Sequence, residues 1–204
     1  MDVKIEGPFV HQFRIEVTDN LGNVTHYNMH DELLIHEEDL EKEIQEISAK
    51  EHFWAQMAIF AENAQEEFEK TWYAVYRAHV EQHVRWYLAG SGEKAATNTA
   101  RDRIAYQLFG RDQEAETRQR NITLAYKGYT YEQKNIGIDP KSLAVFEQVM
   151  YSYEQSIEDV ELMLVYLKKR AQQLRAVANA FSAKAWSLKT LAAMRRSMLG
   201  AHIA

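Results

Sequence analysis

The chain has 204 residues, of which 46 % are hydrophobic and 26 % charged, and its formal net charge is −6. This size and apolar fraction suit a folded domain with a real core and exclude wholesale disorder. The absence of cysteine excludes disulfides, zinc–thiolate sites and a cysteine nucleophile. The sequence has no apolar run of about 18 residues, and residues 1–6 lack the pattern of a secretory signal. We therefore expect a cytoplasmic protein without a membrane span.

The net charge is distributed unevenly along the chain. Residues 1–70 carry a balance of −12, residues 71–161 a balance of −2, and residues 162–204 contain eight basic residues and no acidic residue. Because local patches rather than the total charge decide which partners bind, an acidic chain of this kind can still have an interface for nucleic acid.

The N-terminal residues 1–30 have the pattern of a β-hairpin. Apolar and polar residues alternate over 13–17 and again over 24–29, and turn-forming residues lie between the two runs. An isolated hairpin is only marginally stable in water, so we expect it to pack against a helix or another subunit.

Two long windows, 23–89 and 141–199, contain neither glycine nor proline, which favours long helices. The first window predicts a helix from about residue 31 to residue 89. The second follows Asp139 and Pro140, a typical helix start, and predicts one continuous helix over 140–199. Its apolar residues repeat every seven positions, as in a coiled coil. The clearest track consists of Phe146, Tyr153, Val160, Leu167, Leu174, Phe181 and Leu188.

These elements predict a mainly all-α fold in which two long helices form an antiparallel helical hairpin or coiled coil. The expected organisation is an N-terminal β-hairpin extension over 1–30 and a helical domain over 31–204. Within that domain, an irregular connector over 90–139 contains a short helix near 100–109, and the C-terminal helix over 140–199 mediates oligomerisation. One alternative is a break near Asn179 or Ser182, which would give three helices.

The basic residues of the C-terminal window allow two interpretations. They flank the apolar track, where side chains meet the charged edge of a partner helix, and the start of the first helix is strongly acidic. They therefore either pair with that acidic stretch or bind nucleic acid. The residues concerned are Lys168, Arg170, Arg175, Lys184, Lys189 and Arg196.

Residues 85–134 combine nine basic with six acidic residues and interleave them with aromatic residues. Basic side chains follow a phosphate backbone and aromatic rings stack on unpaired bases, so this combination is typical of single-stranded nucleic-acid binding. The densest example is the segment 126–131, in which Tyr126, Tyr129 and Tyr131 accompany Lys127. Tyr106 and Phe109 are expected in the core instead.

Two local patterns resemble catalytic or metal motifs without fulfilling them. Residues 90–94 read Gly-Ser-Gly-Glu-Lys, but a P-loop requires lysine directly after its second glycine. His79 and His83 are one helical turn apart, but they lack the flanking glutamate pattern of zinc or di-iron sites, so we interpret them as surface or partner-facing histidines. We therefore predict a non-enzymatic protein with no cofactor and no metal. A metal-dependent helical-bundle enzyme is the remote alternative.

Two segments carry a resemblance to a known family. Residues 184–195, Lys-Ala-Trp-Ser-Leu-Lys-Thr-Leu-Ala-Ala-Met-Arg, are similar to the C-terminal segment of UvsY-type phage recombination mediators. Residues 85–90, Arg-Trp-Tyr-Leu-Ala-Gly, resemble the aromatic pair and glycine that close the long first helix of that family. The order of long helix, connector and C-terminal helix is also similar.

The resemblance implies a recombination mediator that binds single-stranded DNA and helps to load a RecA-like recombinase in place of single-strand binding protein. It implies a ring of six or seven subunits and, for a phage-encoded chain, the cytoplasm of the infected bacterium. The predicted oligomerisation residues are Leu167, Leu174, Phe181, Trp186, Leu188 and Leu191. The predicted DNA-binding residues are Arg77, Arg85, Trp86, Tyr87, Lys94, Arg101, Arg103, Arg118, Arg120, Tyr126, Lys127, Tyr129, Tyr131 and Lys134. The alternative function is a coiled-coil structural or scaffolding protein without affinity for nucleic acid.

Overall fold

The computed structural model describes residues 2–94 and 97–201. The chain is mainly helical with a small antiparallel sheet at its N-terminal end, which confirms the predicted fold class at this level. It divides into two compact units: unit 1 comprises the chain up to Gln65 together with the residues from Tyr166 onward, and unit 2 comprises Glu66–Val165. This division does not coincide with the predicted boundary at residue 30. Residues 202–204 of the predicted helical domain lie outside the described residues.

The sheet of unit 1 contains the predicted hairpin and one further strand. Its strands β1 (Asp2–Glu6), β2 (Arg14–Thr18) and β3 (Val24–Asn28) are antiparallel and lie in chain order. In the turn between β2 and β3, the Asp19 carboxylate accepts hydrogen bonds from the backbone N–H groups of Leu21 and Asn23, at 2.8 and 2.9 Å. β1 was not predicted, and it pairs with β2 through its full length.

The first window is helical, but its helix is not continuous from residue 31. A short helix α1 (Met29–Leu33) precedes α2 (Leu40–Glu67), a π-helical segment (Phe68–Tyr73) and α3 (Ala74–Ser91). α3 ends at Gly92, whose φ of +75° is the left-handed conformation that favours glycine at a helix C-terminus.

The connector is more ordered than predicted. The short helix is present as α4 (Asn98–Phe109), and the Thr97 hydroxyl caps it by accepting the Ala100 N–H at 3.2 Å. A second helix, α5 (Ala115–Asn135), occupies most of the remainder. The prediction of an irregular connector over 90–139 is therefore wrong for this half. A glycine inside a helix is unfavourable by about 1 kcal/mol relative to alanine, but Gly128 lies within α5 because helix packing requires it there.

The second window contains two helices, so the prediction of one helix over 140–199 is wrong. α6 (Leu143–Met150) begins at Ser142, whose hydroxyl accepts the Val145 N–H at 3.4 Å. A turn with Glu154 at φ +50° separates it from α7 (Ile157–Ala201). Ser156 precedes the first residue of α7 and caps the helix: its hydroxyl accepts the Asp159 N–H at 3.2 Å.

α7 runs without interruption through Asn179 and Ser182, so the alternative of a break at these residues is also wrong. Within the part of the chain that the structure describes, no helix is apolar over a length that would cross a bilayer.

Each unit has its own apolar core. In unit 1, buried residues of the sheet, α2 and α7 pack together, and the rings of Trp54 and Phe181 stack at 5.9 Å. In unit 2, buried residues of α3, α4, α5, α6 and the first residues of α7 form the second core, in which Tyr76, Ile104, Ile122 and Met150 are among the most deeply buried.

Candidate nucleic-acid interface

One face of α5 carries a row of exposed basic residues. Arg120, Lys127 and Lys134 are spaced seven residues apart, which places them on the same side of the helix, and all three are exposed. Tyr131 lies on this side as well and is 66 % exposed. Among the described residues, no carboxylate lies within ion-pair distance of the three basic side chains. We call Arg120, Lys127, Tyr131 and Lys134 the basic stripe.

A neighbouring face of α5, about 100° around the helix from Lys127, packs against α3 at very short range and leaves the stripe exposed. Gly90 of α3 and Gly128 of α5 are both buried where the two helices cross. A Cβ atom added to Gly128 would collide with the carbonyl of Trp86 and lie 2.9 Å from the backbone nitrogen of Gly90. Only two glycines permit the two backbones to approach this closely.

A carboxylate at the same crossing neutralises one predicted DNA-binding residue. Glu132 of α5 accepts hydrogen bonds from the Arg85 guanidinium at 2.7 Å and from the Trp86 indole N–H. Arg85 is therefore exposed but already paired. Release of Arg85 toward a phosphate would require breaking this ion pair.

Four aromatic residues predicted to contact DNA pack in unit 2 instead. Trp86 and Tyr87 are only 7 % and 5 % exposed. The rings of Trp86, Tyr126 and Tyr129 surround Phe146 with centroid distances of 5.6, 5.5 and 5.1 Å. A base cannot stack on a covered ring, so Trp86 and Tyr87 do not belong to the interface. Tyr126 and Tyr129 are half-buried.

The remaining predicted basic residues of unit 2 have diverse surroundings. Arg77 lies 3.5 Å from a carboxylate oxygen of Asp102, and Arg101 forms an ion pair with Glu81. Lys94 is exposed beyond the end of α3. The Arg118 guanidinium lies 4.1 Å from the centre of the Tyr151 ring, away from the stripe.

Arg103 extends the positive charge at one end of the stripe. Burial raises the pKa of Tyr87, Glu93 acts in the same direction, and the guanidinium groups of Arg120 and Arg103 oppose both. The two arginines, one from α4 and one from α5, thus lie near the same phenol. The structure therefore brings together Arg103, Arg120, Lys127, Tyr131 and Lys134, and it disperses or covers the other candidates.

The predicted oligomerisation residues are mostly internal. Leu174, Phe181 and Leu188 are fully buried in the core of unit 1, and Leu191 is half-buried against the same core. Leu167 is half-buried, and Trp186 is 70 % exposed. The predicted seam through Leu174, Phe181 and Leu188 is therefore wrong for this fold, because these side chains pack against residues of their own chain.

Of the six C-terminal basic residues named above, Lys184 pairs with the acidic start of the first helix. Lys184 is 8 % exposed, and its ammonium lies 3.0 Å from Glu43. Arg170 and Arg175 pair with Asp2 and Glu62, two partners outside the acidic stretch that the prediction named.

The prediction that His79 and His83 are surface histidines is wrong. His83 is only 2 % exposed, and its Nδ1 donates to the His79 carbonyl at 2.8 Å. The His79 Nε2 atom donates to the Met150 carbonyl at 3.0 Å. His83 therefore belongs to the interior of unit 2, whereas His79 is half-buried. Among the residues that the structure describes, no group of three or more histidine, aspartate and glutamate side chains is arranged to hold a metal ion.

This burial predicts a pH-dependent stability. Burial lowers the pKa of His83 from 6.5 to about 4, so the unfolded chain binds a proton there at a higher pH than the folded chain does. The free energy of unfolding should therefore fall as the pH decreases from about 6.5 to about 4, by up to about 1.4 kcal/mol per pH unit. Urea denaturation at several pH values measures this slope.

His83→Leu should reduce the slope in that pH range, while His79, whose pKa burial also lowers, supplies part of the remainder. His52→Ala, at an exposed position of α2, should leave the slope unchanged. An equal slope in wild type and His83→Leu would contradict the assignment of the slope to His83.

Comparisons with known proteins identify no relative of the chain. No protein-family model, no curated protein and no solved structure matches it.

Proposed function

We propose that the chain is a non-enzymatic protein that binds single-stranded DNA through the basic stripe. The observation that carries this proposal is the outward face of α5, where three exposed and unpaired basic side chains accompany an exposed tyrosine. Basic groups neutralise phosphates, and the Tyr131 ring offers a surface on which an unpaired base can stack. A duplex would offer phosphates to the basic side chains but no unpaired base to the Tyr131 ring.

The stripe has the dimensions of a backbone-tracking site. Arg120 and Lys134 are separated by about 21 Å along the helix axis, at about 1.5 Å per residue. This length suffices for several consecutive nucleotides. Arg103, near the Arg120 end, lengthens the path. The acidic residues that dominate the net charge lie mainly in 1–70, outside α5.

We further propose the mediator role that the resemblance of residues 85–90 and 184–195 implies. In that role the chain loads a RecA-like recombinase onto single-stranded DNA in place of single-strand binding protein. A homo-oligomeric ring of six or seven subunits would present several stripes to one strand. Such multivalency raises the avidity without a tight individual site.

Within unit 1, we propose that α2 and α7 form the predicted antiparallel helical hairpin. Contacts between the two segments follow opposite chain order, which supports this arrangement. The contacts, ordered along α7, are Arg175 with Glu62, Ser182 with Glu51 and Lys184 with Glu43, and Arg195 contacts Glu37 just before α2 begins.

The triple substitution Arg120→Ala, Lys127→Ala and Lys134→Ala tests the stripe. We expect it to weaken binding of a labelled single-stranded oligonucleotide at least tenfold at about 50 mM salt. It should also reduce the slope of log K against log salt by about 2, because each lost phosphate contact removes about 0.7. Fluorescence anisotropy at several salt concentrations, with the same sequence as duplex alongside, measures both quantities.

A matched control removes the same charge from unit 1. Arg14, Lys42 and Lys169 are exposed there, and their replacement by alanine should leave the salt slope near the wild-type value. Equal weakening by both triple variants would show that only net charge matters and would refute the stripe. Absence of single-strand binding by the wild type at low salt would refute the function itself.

A structural or scaffolding role is the second candidate. It is favoured by the exposed apolar residues of α7, where Trp186, Met194 and Met198 are 70 %, 54 % and 66 % exposed. It is also favoured by the engagement of Arg175 and Lys184 in ion pairs within the chain. A chain that self-associates in light scattering and binds neither single strand nor duplex would establish this role in place of the first.

A further inference from the structure

Unit 2 contains a cleft that the stripe does not use. It has a volume of about 440 Å³, which lies in the range typical of small-molecule sites, about 300–1,000 Å³. The cleft lies between the loop that follows α4, the first turns of α5 and the turn between α6 and α7. Its lining combines four aromatic residues, Tyr76, Phe109, Tyr151 and Tyr153, with polar and charged side chains.

Of the two arginines that line the cleft, one has no carboxylate partner among the described residues. Arg111 lines it but forms an ion pair with Asp159. Arg118 also lines it, and its guanidinium instead lies over the ring of Tyr151, at 4.1 Å from the centroid. Among the described residues, no carboxylate lies within ion-pair distance of Arg118. Arg118 is therefore available to an anionic group. Its position over the Tyr151 ring also shows that a planar group can stack on that ring.

Two further features of the cleft are energetically unfavourable without a ligand. The Gln113 side chain donates to the Tyr106 carbonyl at 2.8 Å, while its buried Oε1 has no hydrogen-bond partner among the described residues. Glu154, on the rim, has a φ of +50°, a conformation that non-glycine residues rarely adopt. An unpaired buried acceptor and a strained residue at the same cleft are features that occur at ligand sites.

We infer that this cleft binds one nucleotide, either a free nucleoside monophosphate or one unpaired nucleotide of a DNA strand. The base stacks against the tyrosines, the phosphate pairs with Arg118, and an N–H group on the base edge donates to Gln113 after a small adjustment of that side chain. For a nucleotide within a strand the inference rests on the proposed function, whereas for a free nucleotide it stands independently. The carboxylate of Glu154, on the rim, repels the phosphate.

The experiment measures two ligands with three cleft variants. Calorimetry follows free deoxyadenosine monophosphate, and anisotropy follows a short labelled oligodeoxyadenylate. Arg118→Gln and Tyr151→Leu should each weaken binding at least tenfold, which is typical of losing a charge contact or a stacking platform. Glu154→Gln should strengthen binding, because it removes the opposing charge. Arg118 is exposed and holds no ion pair, so Arg118→Gln keeps the test valid if Tyr151→Leu impairs folding.

The outcomes separate the two sources of the nucleotide and separate this inference from the function. Binding of the monophosphate that the cleft variants abolish supports a free nucleotide as the ligand. No binding of the monophosphate, together with weakened binding of the oligonucleotide by the cleft variants, supports a nucleotide within a strand. If the cleft variants change neither measurement, or if neither ligand binds, the cleft inference is overturned. If the cleft variants change neither measurement but the stripe variant loses oligonucleotide binding, the proposed function still holds.

Discussion

Gly128→Ala should lower the free energy of unfolding by more than about 3 kcal/mol, because it forces α3 and α5 apart. The added methyl group would occupy the position of the Trp86 carbonyl and would approach the nitrogen of Gly90 to 2.9 Å. Backbone atoms cannot move aside as the end of a flexible side chain can, so the helices must separate and the core of unit 2 must loosen. The gain in helix propensity from glycine to alanine, about 1 kcal/mol, offsets only part of this loss. Urea denaturation followed by circular dichroism measures the change.

Gly90→Ala should have an effect of the same size, since its Cβ would collide with the carbonyl of Leu124. Ala89→Ser provides the control, because Ala89 is the exposed neighbour of Gly90 and tolerates one extra atom. A Gly128→Ala protein with a wild-type unfolding midpoint would contradict the close crossing. Because this crossing orients α5, the variant should also lose affinity for single-stranded DNA.

Phe181→Ala should destabilise the protein by about 3–5 kcal/mol, the usual loss for removing a buried aromatic side chain. Phe181 is fully buried, and its ring stacks on Trp54 within the core of unit 1. The substitution leaves a cavity between the sheet, α2 and α7, which surrounding side chains fill only in part. Chemical denaturation measures the loss, and light scattering under native conditions reports the mass.

Trp186→Ala is the informative comparison on the same helix. Trp186 is 70 % exposed, so its removal should change the stability by less than about 0.5 kcal/mol. If the exposed side of α7 mediates self-association, Trp186→Ala should reduce the mass while the fold stays intact. The reverse result, in which Phe181→Ala dissociates an oligomer without destabilising the chain, would support the predicted oligomerisation through Leu174, Phe181 and Leu188.

The candidate site could be predicted only in part from the sequence. Arg120, Lys127 and Lys134 are among the predicted DNA-binding residues, but they share one face only because residues 115–135 form a helix, which the sequence analysis did not predict. The assignment of Trp86 and Tyr87 to DNA contacts failed, because aromatic residues interleaved with basic ones are equally typical of a half-buried helix. A signal was available in Gly90 and Gly128, since small residues mark where two helices pack closely.

The sequence by itself determined that most of the two long windows is helical and where the hairpin lies. The alternation over 13–17 and 24–29 has a period that only a strand fulfils, and the polar turn between the runs closes it locally. Likewise, long windows without glycine or proline favour helices irrespective of their surroundings. These features depend on neighbouring residues along the chain.

Only the tertiary structure decided what covers each apolar face and where the C-terminal window breaks. A heptad track through Leu174, Phe181 and Leu188 indicates a buried face, but a helix of the same chain and a second subunit satisfy that pattern equally well. The turn containing Glu154 has no glycine or proline from which it could be predicted, and packing around it stabilises it. Periodicity reports that a side chain avoids water, whereas its partner is chosen by contacts between residues far apart in the chain.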